Sequence, residues 1–216
     1  MASLTPVSVR PTAVPIAQRA TAFSLVRWWL CFLLCVAMVA GATQYFFHRP
    51  TGHFGERYAL LLAHIIGGTG ALLTGPWQFS RRLRLRRLAL HRWLGRIYLC
   101  SVALGSVAGF TLAIFSKEGW PTHIGFGLLA AIWFFTGWMA YCRILAGNVP
   151  AHREWMIRNF SLSLAAVTLR LYLIPLLVFA HWSFAPAYIL VAWMCWVPNL
   201  LVAEWLIRRR SPIATI

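Results

Sequence analysis

Acidic residues are nearly missing from this chain. Glu56, Glu118, Glu154 and Glu204 are the only carboxylates among 216 residues, against twenty Lys and Arg. Metal sites that need carboxylate company are thereby excluded. The five cysteines, Cys31, Cys35, Cys100, Cys142 and Cys195, all fall in apolar stretches with no CxxC pair. They supply neither a disulfide framework nor a thiolate metal site, and read as small buried hydrophobes. Charged residues of either sign amount to only 11%, which excludes an ordinary soluble domain.

What fills the space is apolar. Hydrophobic residues make up 60% of the chain, with twelve Trp. Crossing the hydrocarbon core takes roughly 20 residues of helix. Six stretches qualify: Ala22–Phe47, Tyr58–Phe79, Trp93–Phe115, His123–Tyr141, Trp155–Ala180 and Ala185–Ile207. Short connections predict an all-α polytopic membrane protein of six transmembrane helices around a central four-helix bundle. Residues 1–21, rich in Pro, Ser, Thr and Ala, read as a flexible cytoplasmic tail. The six-helix domain follows over 22–210, and 211–216 forms a second cytoplasmic tail. The first apolar stretch exceeds the usual h-region of a cleaved signal and reads as a retained anchor.

The net charge of +16 is sorted by side. With the N-terminus inside, one face receives Arg10, Arg19, Arg27, the five arginines of "RRLRLRR", Arg92, Arg96, Arg143, Arg153, Arg158 and Arg208–Arg210. The other receives Arg49, Arg57 and Lys117. This bias predicts cytoplasmic termini and a basic loop touching the anionic headgroups of the bilayer. No nucleic-acid recognition element accompanies the charge, so no nucleic-acid partner is expected.

Within the spans one pattern recurs. "HIIGG" at His64–Gly68, "HRWLG" at His91–Gly95 and "HIGFG" at His123–Gly127 each set a glycine one helical turn beyond a histidine. The pattern sits inside a duplication. "HIIGGTGALLTGPWQFSRR" leading to "LHRWLGRIY" overlays "HIGFGLLAAIWFFTGWMAYCR" leading to "AHREWMIRNF". Both halves, about 58–115 and 123–180, begin on the same side, so they are parallel helix-hairpin repeats about an axis along the membrane normal. Such an axis sets His64 opposite His123 towards the outer face, and His91 opposite His152 at the cytoplasmic face. His64 lies about seven residues inside its helix while His123 follows "WPT", so Pro121 is expected in the first turn of the fourth helix.

Two imidazoles from facing helices are the ligand set of a six-coordinate haem. Glycine beside the ligand removes the Cβ that would obstruct a porphyrin edge. Gly68, Gly95 and Gly127 fit that role, with Met156 in the fourth position. Arg170, deep in the fifth span, needs an anion, and a haem propionate would supply it; Arg96 and Arg158 can serve the inner haem likewise. Simpler readings stand beside these. The glycines also suit close helix packing, Arg170 can snorkel or bind helix carbonyls, and His48, His53 and His181 read as interfacial groups.

The strings "HIIGGTGALLTGPWQF", "LHRWLGRIYL" and "HREWMIRNFSLSLAAVTLRL" resemble a bacterial multi-pass family defined only as a membrane domain of unknown function. That resemblance implies a location in the bacterial cytoplasmic membrane. In layout the chain is also similar to the transmembrane di-haem cytochromes b that take electrons from ascorbate, although its histidine intervals are shorter and no ascorbate site is evident. This likeness implies the pairs His64–His123 and His91–His152, each holding a haem b. The expectation is a transmembrane electron carrier, with a quinol or other redox donor as partner. A small transporter or channel with a His/Arg-lined path, or a non-catalytic assembly factor, are the alternatives.

Overall fold

The computed structural model describes residues 22–48 and 56–209. Both predicted tails and His53 lie outside the described residues. The described chain is helical throughout and contains no strand. Its elements are α1 (Ala22–Ala42), α2 (Gln44–Phe47), α3 (Tyr58–Gln78), α4 (Arg81–Arg86), α5 (Leu88–Ile114), α6 (Trp120–Leu145), α7 (Val149–Ser163), α8 (Ala165–Val178), α9 (Phe184–Met194) and α10 (Val197–Arg208). Six stretches are long and apolar enough to cross a membrane: Trp28–Phe47, Tyr58–Gln78, Leu88–Ile114, Trp120–Leu145, Val149–Val178 and Phe184–Arg208. Large apolar side chains such as Leu33, Val107, Phe135, Trp138 and Leu201 are exposed on their outer faces. That arrangement suits acyl chains as the surrounding solvent.

Two of the six spans are each disturbed at one point. The fifth, Val149–Val178, is irregular at Leu164 and the sixth, Phe184–Arg208, at Cys195–Trp196, although Leu164 and Cys195 keep helical backbone angles. The irregularities lie side by side and patch each other. Thr168 Oγ1 donates to the Cys195 carbonyl, while Asn199 Nδ2 reaches Ser161 O at 3.2 Å and Cys195 O at 3.0 Å. Freed carbonyls inside a membrane need such partners, because no water is present to replace them.

The bundle is ordered α3, α5, α6, α7, each packing on the next, with α7 returning to touch α3 and α1 lying outside α3. The tightest seam joins α3 to α5. A Cβ on Gly67 would run into the backbone of Gly105 and Ser101, and one on Gly70 into the Ser101 hydroxyl. Ser101, Gly105 and Gly109 recur every four residues, which lets the two backbones approach as small residues do in membranes. Outside this seam, Trp28 Nε1 donates to Pro76 O at 3.0 Å and its ring packs against Trp77. These contacts pin α1 to the lower half of α3.

Candidate functional site

Mid-bundle, five polar side chains close a buried network. Tyr98 on α5 donates to Asn159 Oδ1 on α7 at 2.6 Å. Asn159 Nδ2 donates in turn to Trp133 O at 2.7 Å and to Thr136 Oγ1 at 2.9 Å on α6. Ser163 Oγ receives Trp133 Nε1 at 2.9 Å. Tyr98 and Asn159 are 0% exposed. Each donor has a partner, so the network fixes the register of α5, α6 and α7 instead of penalising it.

The network also orients two of the predicted ligands. Tyr98 is seven residues beyond His91, and Asn159 seven beyond His152. Seven residues are two turns, about 10 Å along the axis and about 20° around it. The helix faces that meet at Tyr98–Asn159 are therefore the faces that carry His91 and His152 towards the basic end. His91 accordingly lies within electrostatic reach of His152, and also of Arg84 and Arg92. The His152 ring is pinned: Nδ1 lies 2.8 Å from Ala140 O on α6. A carbonyl only accepts, so Nδ1 carries the proton, and in the neutral ring the lone pair is on Nε2. His91 Nδ1 is fully buried with no hydrogen-bond partner.

The opposite level is built differently. His64 Nδ1 lies 2.8 Å from Gly105 O on α5, again fixing the proton on Nδ1. The ring occupies a notch left by Gly109, where a Cβ would sit 2.8 Å from His64 Nδ1. Arg170 lies within electrostatic reach of this ring and of Tyr45 and Tyr188. Its guanidinium donates to Ala166 O on its own helix at 3.2 Å. No carboxylate comes within ion-pair distance of it among the described residues. His123 occupies the first turn of α6, where Pro121 sits as expected, and its ring lies 5.6 Å from that of Trp120.

The three predicted glycines part company. Gly68 has nothing within 4 Å of a built Cβ, and Gly127 meets only Phe110 at 3.9 Å. Gly95 faces Gln78 Oε1 at 3.2 Å. The glycines that accommodate a close neighbour lie elsewhere, among them Gly67, Gly70, Gly75, Gly105 and Gly109. Two of the three predicted arginines also lie away from the histidines. Arg158 is clamped by Glu204 on α10, with NH2 to Oε2 at 3.1 Å, and stacks on Trp155. Arg96 is exposed and lines a shallow groove of about 440 Å³ with Trp93, Ile97 and Cys100. Arg84 was missed as a site residue. It donates to Gln78 O at 3.2 Å, and burial first, then the like charges of Arg153 and Arg81, pulls its guanidinium below the ordinary arginine range. Its place inside a run of five arginines hid it. Among the described residues no group of three or more His, Cys, Asp or Glu gathers as a metal site. His48 and His181 are exposed, the latter in a turn with φ 54.

Residues 61–207 match the family described as predicted membrane protein (DUF2306). The chain belongs to that family. No curated protein and no solved structure matches it. The expected likeness to di-haem cytochromes b thus gains no support from these comparisons.

Proposed function

We propose that this family member is a haem b-binding electron carrier of the bacterial cytoplasmic membrane, its basic end cytoplasmic, with His91 and His152 as the residues that would hold the inner haem. The observation that carries the reading is the 2.6 Å Tyr98–Asn159 bond, which turns the two histidine-bearing faces of α5 and α7 towards each other. The pinned His152 ring adds to it. A ligating histidine commonly donates its other ring nitrogen to a carbonyl, which fixes the tautomer and raises ligand basicity. His64 carries the same signature at the opposite level, where it and His123 would hold the outer haem with Arg170 as propionate partner. Two imidazoles per level, without carboxylate or thiolate, suit a haem better than a bare ion.

At the inner level the donor set, two imidazoles without carboxylate or thiolate, suits the group, and one side chain stands beside it. Gln78 must swing away from Gly95, and its amide is held only by a 3.5 Å contact with Thr74 O. Bound there, haem supplies one-electron chemistry. His91 and His152 would hold the group through Nε2, and the Tyr98–Asn159–Trp133 layer would shield it from the other half of the bundle. Reduced-minus-oxidised absorption of the purified protein, expressed with ample haem, tests the reading. A sharp α-band whose inner-haem share His152→Ala removes supports it; a folded protein with no haem band overturns it.

The paired irregularities at Leu164 and Cys195–Trp196 favour a second reading. Many transporters build substrate sites where spanning helices are disturbed, and Arg170 lies six residues, under two turns, beyond Leu164. In a His/Arg-lined transporter, His64→Ala and His91→Ala would alter transport while leaving pigment unaffected.

A further inference from the structure

One side of α5 carries a groove that the haem reading leaves unused. Its volume of about 440 Å³ lies within the roughly 300–1,000 Å³ of small-ligand clefts. Trp93, Arg96, Ile97, Cys100, Ser101 and Leu104 line it in that order from the basic end. Residues three and four apart share a helix face, so the six form one stripe. At 1.5 Å per residue the stripe is about 16 Å long. Ser101 marks its edge towards α3, where the bare Gly70 lets the hydroxyl approach. Trp93 is 62% exposed, and Cys100 is an exposed free thiol, so the groove opens to the outside of the bundle.

Arg96 has no protein counter-charge in this setting. The 27 residues of α5 make about 40 Å of helix against about 30 Å of hydrocarbon. Arg96 is eight residues beyond Leu88, about 12 Å along the axis, which puts its Cα inside the apolar layer. Its guanidinium must therefore snorkel towards the basic end. Arg96 makes no ion pair and no hydrogen bond among the described residues. All four carboxylates are engaged elsewhere: Glu154 and Glu204 with Arg158, Glu56 with Arg57, and Glu118 with Ser116. The anion has to come from the surroundings. Along the stripe, an interfacial tryptophan is followed by a cation and then by an apolar trough, which is the order of parts in a phospholipid. We propose that this groove binds one anionic phospholipid, its phosphate on the Arg96 fork and an acyl chain along Ile97, Cys100 and Leu104. Arg92, exposed and one turn nearer the basic end on the same face, adds a second cation at headgroup depth. At about 100° per residue the Arg96 face lies about 140° around α5 from His91. The site therefore does not depend on haem.

Native mass spectrometry of the purified protein in mild detergent tests the proposal, reading retained phosphatidylglycerol against phosphatidylcholine. Phosphatidylglycerol should be retained selectively, and Arg96→Gln should lower its retention about fivefold. Arg82→Gln removes the same charge from the exposed basic loop and should change little. Cys100→Trp fills the trough, leaves every charge in place, and should also lower retention; it serves alone if Arg96→Gln does not fold. Equal losses from Arg96→Gln and Arg82→Gln would reduce the effect to general attraction by the basic end and overturn the site. Unchanged retention in Cys100→Trp, or no preference for phosphatidylglycerol in the unsubstituted protein, overturns it as well. A lipid-free dimer that Cys100→Trp dissociates would give the groove to a second copy of the chain instead. His152→Ala separates this site from the haem reading: pigment would be lost there and lipid kept.

Discussion

At the basic end, His91 and His152 sit on helix faces that meet two turns further along, in a neighbourhood rich in arginine. At the opposite end, His64 is sunk into a glycine notch on α5, while His123 lies against Trp120 in the first turn of α6. The same four-residue spacing produces both. The difference teaches that spacing sets which residues share a face, whereas the neighbouring helix decides what the face is for. Gly109, on α5, makes the room for His64 that Gly68, on the histidine's own helix, was expected to make for a macrocycle.

The comparison breaks most directly at the proposed ligands. His152→Ala is expected to abolish the haem signal of its level outright, His64→Ala to remove the other level's signal, and His123→Ala to have the weakest effect of the three. Pyridine haemochrome quantitation per folded protein measures this. Equal losses from His123→Ala and His152→Ala would show that the two levels are built alike after all.

The six spans were legible because an apolar run of 20 residues has few other destinations. Pro121 in a first turn was legible because its missing N–H costs nothing there. The facing of side chains was not. Each residue rotates the face by about 100°, so "HIIGG" cannot say whether Gly67 or Gly68 meets α5. Nor did the chain announce the irregularity at Leu164, which has no proline beside it and depends on Thr168 and on Asn199 of a distant helix. The Arg158–Glu204 pair joins residues 46 apart, and local reading assigned Arg158 to the histidine preceding it. Asn159 and Ser163 were the available signal for the buried network, since polar residues inside an apolar span demand partners.

The next largest effect separates Gly109 from Gly68. Gly109→Ala drives a methyl into the His64 ring and should cost about 1–3 kcal/mol, together with the 2.8 Å bond to Gly105. Gly68→Ala meets open space and should be neutral, or gain up to about 1 kcal/mol in helix propensity. Chemical unfolding in detergent compares them. Equal destabilisation would remove the distinction between the two glycines.

Between the levels, Tyr98→Phe leaves Asn159 Oδ1 without its buried donor and should cost about 1–3 kcal/mol. If the network sets the register of α5 against α7, that substitution should also broaden the inner haem's absorption band while sparing the outer one. Destabilisation with both bands unchanged would reduce the network to a stabilising element with no bearing on the histidines.

The smallest effect is the most discriminating for the inner slot. Gly95→Ala places a Cβ 3.2 Å from Gln78 Oε1, the far end of a flexible side chain. Gln78 can yield by a few tenths of an ångström, because its amide is only loosely tied to Thr74. The clash and the alanine's helix propensity, about 1 kcal/mol, should nearly cancel, leaving Tm almost unmoved. Haem occupancy should nevertheless fall, because Gln78 has to leave this slot for a porphyrin edge to enter and the new methyl stays in it. A Gly95→Ala protein with unchanged Tm and full inner-haem content would mean that the slot beside Gly95 is not the one the macrocycle uses.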